Sequence, residues 1–185
     1  MYENLEWFPT NVMRVNSKDL LGEREKISEI LEEAESLSVF SVKGETHEHK
    51  QAYIPSVMKK LKEIFKEYCK VEGEYKIKVW YRNMKDGDHC ILHCHPRALC
   101  SFVFFLREPL EGGELVFMDP RVQVRIGQHH RSFEAYKEIK PEEGVGYVFP
   151  GWLDHYVNPC KGERMTLVAN VMSINRNGLK VNHEA

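Results

Sequence analysis

The second half of the chain consists of short strand-like segments separated by turn residues. Candidate strands cover residues 74–82, 90–95, 99–107, 113–118, 121–126, 145–149, 154–157 and 164–174. Gly, Pro, Asn and Asp lie between them, for example in Asp86-Gly87-Asp88 and Pro150-Gly151. Strands this short and this closely spaced predict a small β-barrel or a jelly roll of two packed sheets. Residues 127–142 are expected to be an insertion that covers one end of the barrel.

Two amphipathic helices are predicted before these strands. Residues 18–36 and about 55–70 carry apolar side chains at helical spacing, and Pro55 suits a first helical turn. Short strands are expected within residues 5–16 and 37–54. The chain is thus read as one mainly β domain over 1–185, with the helices packed on one sheet. A strand and helical support cover 1–72, the β core covers 73–174, and a tail covers 175–185.

Composition argues against several classes of protein. Lys and Arg number 26 against 28 Asp and Glu, so the net charge of −2 does not suggest a nucleic-acid or membrane-surface binder. No apolar run approaches the roughly 20 residues of a membrane span, and the N-terminus does not resemble a signal peptide. Five cysteines without a Cys-x-x-Cys pair indicate a reducing compartment, so a cytoplasmic location is expected. A homo-oligomer is compatible with the sequence.

Nine histidines are present, and three of them form a candidate metal site. His93 and His95 are two residues apart on a predicted strand, so both side chains should face the interior while Cys94 faces away. His155 follows a turn and begins a later strand. Imidazole suits iron, copper, zinc and nickel, and a zinc site that uses Cys94 is an alternative. The remaining histidines are assigned to surface, loop or lid positions: His47, His49, His89, His129, His130 and His183.

Arg164 lies nine residues after His155 and can point into the same interior. A guanidinium there requires a carboxylate. Because no nearby acidic residue obviously supplies it, a small molecule that bears a carboxylate is the favoured partner. The alternative is a salt bridge to a surface carboxylate such as Glu163 or Asp154.

Six segments together carry a resemblance to a known family. They are residues 7–10, 93–96, 101–106, 113–121, 146–157 and 164–170. Their order and the interval from His155 to Arg164 resemble the Fe(II)/2-oxoglutarate-dependent oxygenases of the prolyl-hydroxylase-like branch, particularly a small, often phage-associated subgroup. The resemblance covers about residues 75–172.

This resemblance implies a double-stranded β-helix, also called a cupin-like jelly roll, that uses Fe(II) and 2-oxoglutarate. In such proteins iron is held by His-x-Asp/Glu and a distal histidine. The far carboxylate of 2-oxoglutarate would meet Arg164. Tyr81, one strand earlier, would either hydrogen-bond this cosubstrate or lie buried in the β core. Decarboxylation of 2-oxoglutarate would be coupled to O₂-dependent oxidation of a C–H bond in a small-molecule or peptidyl substrate.

The sequence departs from the family pattern because His95 stands where a carboxylate is expected. A three-histidine site is the favoured interpretation. Alternatively, one histidine of the pair binds and Asp119 supplies the carboxylate, although an Asp-Pro turn explains Asp119 equally well. In a third alternative one coordination position is left to water or a halide. A cupin-like module that binds a metal or small ligand without catalysis, and a purely structural barrel, are the competing functions.

Overall fold

The structure of the protein is a computed structural model that describes residues 10–33, 48–50, 53–72, 75–121, 135–173 and 180–181. The helices are α1 (Lys18–Leu21), α2 (Arg24–Glu33) and α3 (Pro55–Cys69). The first strands are β1 (Met13–Asn16), β2 (Glu48–Lys50), β3 (Val71–Glu72), β4 (Tyr75–Met84), β5 (Cys90–His93), β6 (Ala98–Arg107) and β7 (Glu111–Gly112). The others are β8 (Leu115–Met118), β9 (Tyr136–Ile139), β10 (Val145–Pro150), β11 (His155–Val157), β12 (Cys160–Lys161), β13 (Arg164–Ser173) and β14 (Lys180–Val181).

Two antiparallel sheets form the body of the fold. The larger has the strand order β1-β10-β6-β13-β4-β2, and the smaller has the order β5-β11-β8-β9. As far as the chain is described, β5 is the terminal strand of the smaller sheet, and β11 lies between β5 and β8. From β4 onward the chain passes repeatedly from one sheet to the other. This arrangement confirms the predicted jelly roll of the double-stranded β-helix type.

The larger sheet is covered on both faces. Its outer face packs against the helices, through residues that include Leu20, Ile27, Leu61, Phe65, Tyr81, Phe102, Phe104 and Leu167. Its inner face packs against the smaller sheet, through residues that include Met84, Val103, Phe105, Phe117, Phe149, Val157 and Val168. The interior between the two sheets is therefore apolar apart from a few polar side chains.

The helices end and begin at recognisable signals. Ser17 caps α1, where its side chain accepts a hydrogen bond from the amide of Leu20 at 3.2 Å. Pro55 occupies the first turn of α3, and Lys70 ends it in the left-handed conformation. The single helix predicted over 18–36 is two helices, because Gly22 and Glu23 separate α1 from α2. Residues 34–36 lie outside the described residues.

One prediction about the connections is wrong in part. Residues 136–139, assigned to an insertion over 127–142, form β9 and extend the smaller sheet beside β8. The predicted strand over 121–126, apart from Arg121, lies outside the described residues. So do His129 and His130. Among the helices described, none has the length and apolar character needed to cross a membrane.

Candidate metal centre

Three histidine side chains converge at the junction of β5 and β11. One ring nitrogen from each of His93, His95 and His155 lies within 4.8 Å of the others. The ring centroids are 4.3 Å apart for His93 and His155, and 5.2 Å apart for His95 and each of the other two. Within the described ranges this is the one group of His, Cys, Asp or Glu that could hold a metal ion.

Strand pairing places two of these histidines opposite each other. His93 is the last residue of β5, and its register partner is His155, the first residue of β11. On its other side, His155 pairs with Phe117 of β8. His155 is thus fixed between two strands, and it is only 3% exposed.

His95 reaches the cluster from a loop rather than from a strand, because β5 ends at His93. Its amide donates a 2.6 Å hydrogen bond to the carbonyl of Gly151, and its carbonyl accepts from the amide of Ala98 at 2.8 Å. Gly151 belongs to the turn that leads to His155. A backbone hydrogen bond therefore joins the loop that carries His95 to the turn that precedes His155.

Gly151→Ala is expected to disrupt this junction. A Cβ at Gly151 would lie 2.2 Å from the carbonyl oxygen of Ala98 and 2.8 Å from that of His95, so backbone must move. We expect a loss on the order of 2–4 kcal/mol in the free energy of unfolding, measured by urea denaturation. Gly22→Ala is the control, since its nearest contacts are at 3.4 Å and its φ is −61°. Equal stability of the two variants would contradict the expectation.

Hydrogen bonds orient two of the three rings. Nδ1 of His93 lies 2.7 Å from the carbonyl oxygen of Ile91, and Nδ1 of His155 lies 2.8 Å from that of Leu153. With Nδ1–H donating to a carbonyl, Nε2 of each ring keeps its lone pair for a metal. The sequence predicts the residues of this arrangement but not these carbonyl partners.

Burial keeps two of the rings neutral. Burial, together with the nearby His93 and Arg82, lowers the pKa of His155 to about 3 and that of His95 to about 4. The ring of Phe149 lies 4.9 Å from that of His155, and Trp80 lies 6.3 Å from His95. Neutral imidazole is the form that binds metal, so these two side chains are ready to do so at pH 7.

The metal-free protein is expected to lose stability as the pH falls from 6.5 to 5. An unfolded histidine takes up a proton near pH 6.5, whereas His95 and His155 stay neutral in the folded protein until about pH 4 and 3. The unfolded state then binds more protons, which lowers the free energy of unfolding. This window lies above the ordinary pKa values of carboxyl groups. Between pH 5 and 6.5, the melting temperature of the double variant His95→Asn/His155→Asn should depend less steeply on pH than that of the wild type. An equally steep dependence would contradict the lowered pKa values of the two histidines.

Arg164 is buried inside the fold, and no ion pair to it is found among the described residues. It is 2% exposed, its Nε donates to the carbonyl of Gly113 at 2.8 Å, and one terminal nitrogen lies 3.4 Å from Sδ of Met84. The other terminal nitrogen is buried and has no hydrogen-bond partner in the described part of the chain. Burial and the charge of Arg82 lower its pKa to about 10, so it remains charged at neutral pH. Among the described residues no carboxylate pairs with it, and Glu163 pairs with Arg107 instead.

The structure does not bring Tyr81 to the histidines. Its side chain is 0% exposed and lies in the cluster that faces the helices, where burial raises its pKa to about 12. This packing matches the alternative of a core tyrosine. The neighbouring residues Trp80 and Arg82 point the other way, toward the interior, and Arg82 donates to Sγ of Cys90 at 2.9 Å. The sequence did not lead us to predict either Trp80 or Arg82 as an interior residue.

Asp119 and Cys94 lie outside the histidine cluster. The carboxylate of Asp119 accepts hydrogen bonds from the backbone and the guanidinium of Arg121, at 2.7–3.0 Å. Asp119 therefore stabilises the Asp-Pro turn, which was the alternative to its role as a metal ligand. The side chain of His89 also stays outside the cluster, with Nδ1 3.4 Å from the carbonyl oxygen of Gly87.

Two facing sheets define a protein of the double-stranded β-helix class, and the interior histidine cluster is its candidate metal site. The family described as "Putative 2OG-Fe(II) oxygenase" matches residues 78–170, which is half of the chain. The chain therefore belongs to this family of iron(II)- and 2-oxoglutarate-dependent oxygenases. This finding confirms the predicted enzyme class and its two cofactors. No curated protein matches the chain significantly.

Solved structures of low sequence identity share the fold. A prolyl-4-hydroxylase from Pseudomonas putida is 14% identical, with a TM-score of 0.67 over 88% of this chain and 92% of the other. A 2OG-Fe(II) oxygenase family oxidoreductase from Burkholderia pseudomallei is 16% identical, with a TM-score of 0.60 over 87% and 84%. HygX from Streptomyces hygroscopicus, with nickel and 2-oxoglutarate bound, is 9% identical, with a TM-score of 0.62 over 89% and 83%.

Proposed function

We propose that His93, His95 and His155 hold Fe(II), that Arg164 holds 2-oxoglutarate, and that the protein oxidises a C–H bond of a small-molecule or peptidyl substrate with O₂. The observation that carries this proposal is the guanidinium of Arg164. It is enclosed among apolar side chains, and within the described ranges one of its terminal nitrogens has no hydrogen-bond partner and no carboxylate pairs with it. A buried charge without a paired opposite charge destabilises the folded protein unless a bound ligand supplies that charge.

The histidine cluster supports the metal part of the proposal. Its three donors are imidazole nitrogens, which suit iron, and two of the rings are oriented through Nδ1 by backbone carbonyls. Burial keeps His95 and His155 neutral at pH 7. A metal held by these three histidines would keep further coordination positions for cosubstrate and O₂.

Arg164 supports the cosubstrate part. A guanidinium can bind a carboxylate through two parallel hydrogen bonds, and this geometry fixes both position and orientation. Gly113 provides the carbonyl that holds Nε, and a Cβ at Gly113 would lie 2.9 Å from Cδ of Arg164. The glycine therefore makes room for the arginine. Phe105, whose ring centroid lies 5.1 Å from Cζ of Arg164, adds a cation–π contact.

Fe(II) held at this site would activate O₂ and couple the conversion of 2-oxoglutarate to succinate and CO₂ with oxidation of a C–H bond of the substrate. The chain's residues do the rest. The histidines fix the metal between β5 and β11, and Arg164 anchors the far end of the cosubstrate. The apolar side chains of Phe117 and Phe149 keep bulk water from the ring of His155.

Replacement of a carboxylate ligand by His95 changes the charge of this site. A centre with three neutral ligands would keep the full charge of Fe(II), and the buried guanidinium of Arg164 adds positive charge in the interior. This excess of positive charge favours the dianion of 2-oxoglutarate.

Calorimetric titration of 2-oxoglutarate into the Mn(II)-loaded protein tests the proposal without a known substrate. We expect binding that requires the metal, together with Fe(II)-dependent release of CO₂ from carboxyl-labelled 2-oxoglutarate. If the protein binds Mn(II) but no 2-oxoglutarate, the proposal fails and a cupin-like metal-binding module takes its place. Succinate serves as a matched ligand control, because it lacks the keto group that would chelate the metal.

A further inference from the structure

Two thiols meet on the face of the larger sheet that is turned away from the histidines. Cys69 is the last residue of α3, and Cys100 is the third residue of β6. Their Sγ atoms are 3.1 Å apart, and both cysteines are free thiols. Cys100 is 0% exposed, whereas Cys69 is partly exposed. The metal centre and Arg164 use neither residue.

The packing of α3 on β6 fixes this contact. Phe65 lies one helical turn before Cys69, and its ring contacts that of Phe102, with centroids 6.2 Å apart. Four residues of helix span about 6 Å, and two residues of strand span about 6.8 Å. The Phe65–Phe102 and Cys69–Cys100 contacts therefore lie one after the other along the interface between α3 and β6. Phe65 and Phe102 are both fully buried. The thiol pair therefore belongs to the core contact between helix and sheet.

We propose that Cys69 and Cys100 form a disulfide when the protein meets a peroxide, and that this bond ties α3 to β6. The sulfur of Cys69 attacks one oxygen of hydrogen peroxide, the O–O bond breaks, and the product is a sulfenic acid and water. The sulfur of Cys100 then attacks the sulfur of Cys69, the S–O bond breaks, and hydroxide leaves with the Cys100 proton as water. Two thiols and one peroxide thus give one disulfide and two waters, and the sulfurs lose two electrons to the peroxide.

The order of these steps follows from exposure. A peroxide can reach the partly exposed Cys69, whereas Cys100 is enclosed and can react only with its neighbour. The hydrogen bond between the thiols lowers the pKa of Cys69, and that contact together with burial raises the pKa of Cys100. A thiolate at Cys69 is the nucleophile that the first step requires. Closing the bond needs the sulfurs to approach by about 1 Å, since a disulfide is about 2.05 Å long.

Tryptic digestion of the full-length chain provides a direct test. Cleavage after Lys66, Lys70, Arg97 and Arg107 gives one peptide with Cys69 and another with Cys100, each without a further cysteine. After treatment with hydrogen peroxide in the presence of a chelator and blocking of free thiols, we expect these two peptides to be linked with the loss of two hydrogen atoms. The link should disappear after reduction with dithiothreitol.

Two variants sharpen the test. Cys69→Ser should abolish the link, whereas Cys160→Ser should keep it, because Cys160 contacts the carbonyl of Lys85 and not another thiol. Oxidised wild-type protein should melt about 5 °C or more above its reduced form, since the bond closes a long loop, and Cys69→Ser should show no such rise. Peroxide treatment that leaves Cys69 as sulfenic or sulfinic acid, or that links it to a different cysteine, would overturn the proposal. So would the absence of any oxidation at Cys69.

Discussion

His155→Ala is expected to lower the affinity for Mn(II) or Fe(II) by at least about 100-fold. The substitution removes one of three clustered nitrogens, and even the hydrogen-bond partners of metal ligands typically contribute 10–100-fold to affinity. In the described part of the chain no fourth His, Cys, Asp or Glu belongs to the cluster that could replace His155. Calorimetric titration measures the affinity. Mn(II) should raise the melting temperature of the wild-type protein but not that of the variant.

His89→Ala is the matched control for this loss. His89 lies in the turn before β5, and its ring is outside the cluster, so the variant should bind metal with wild-type affinity. Circular dichroism of the metal-free proteins checks that His155→Ala still folds, and His155→Asn repeats the test with a smaller cavity. Wild-type affinity in a folded His155 variant would show that the metal binds elsewhere.

Arg164→Met is expected to weaken the binding of 2-oxoglutarate by at least about 30-fold while leaving Mn(II) binding unchanged. Loss of one member of a buried, hydrogen-bonded charge pair costs about 2–5 kcal/mol, which corresponds to this factor or more. The free energy of unfolding should stay the same or rise, because methionine replaces a buried charge that has no carboxylate partner in the described structure. Weaker binding and unchanged or higher stability together would separate a ligand-binding arginine from a structural one.

Arg107→Met makes the same chemical change outside the interior. Arg107 is partly exposed and forms an ion pair with Glu163, so its loss should leave the affinity for 2-oxoglutarate unchanged. If both variants bind 2-oxoglutarate as the wild type does, Arg164 does not contact the cosubstrate. If Arg164→Met unfolds the protein, Arg164→Lys keeps the charge but lacks the forked donors, so it should still bind more weakly.

The sequence predicts the three histidines, but for His95 the predicted reason is wrong. Two-residue alternation assumes that the strand reaches residue 95, whereas β5 ends at His93. His95 arrives through a loop held by the carbonyl of Gly151, a contact between segments more than 50 residues apart. Local periodicity does not contain such a contact. His93 and His155 do lie on strands, as expected, but their direct pairing across β5 and β11 was not predicted.

The orientation of side chains on β4 explains why Tyr81 was predicted as a candidate cosubstrate ligand and why Arg82 was not predicted to lie near the histidines. Alternation predicts that these neighbours face opposite sides, but it does not say which side is the interior. The larger sheet is covered on both faces, so apolar residues occur on both and the usual contrast between buried and exposed positions is lost. Tyr81 packs against the helices, and Arg82 lies near the histidines.

Connections were predicted less well than strands. Turn residues correctly separate most of the strands, but β9 lies in the segment assigned to an insertion. Its residues Tyr136–Ile139 are mostly polar and exposed, because β9 is a terminal strand of the smaller sheet, as far as the chain is described. Such a strand buries little apolar surface and leaves a weak pattern in the sequence.

The position of β5 gives the metal a second role. His93 belongs to the terminal strand of the smaller sheet as described, and His155 belongs to the strand beside it. A metal bound by both is a cross-link between the two strands, so the free energy of metal binding adds to the free energy that keeps β5 paired. Opening of this edge would then be thermodynamically coupled to release of the metal. Separation of β5 from β11 would remove at least one of the proposed ligands.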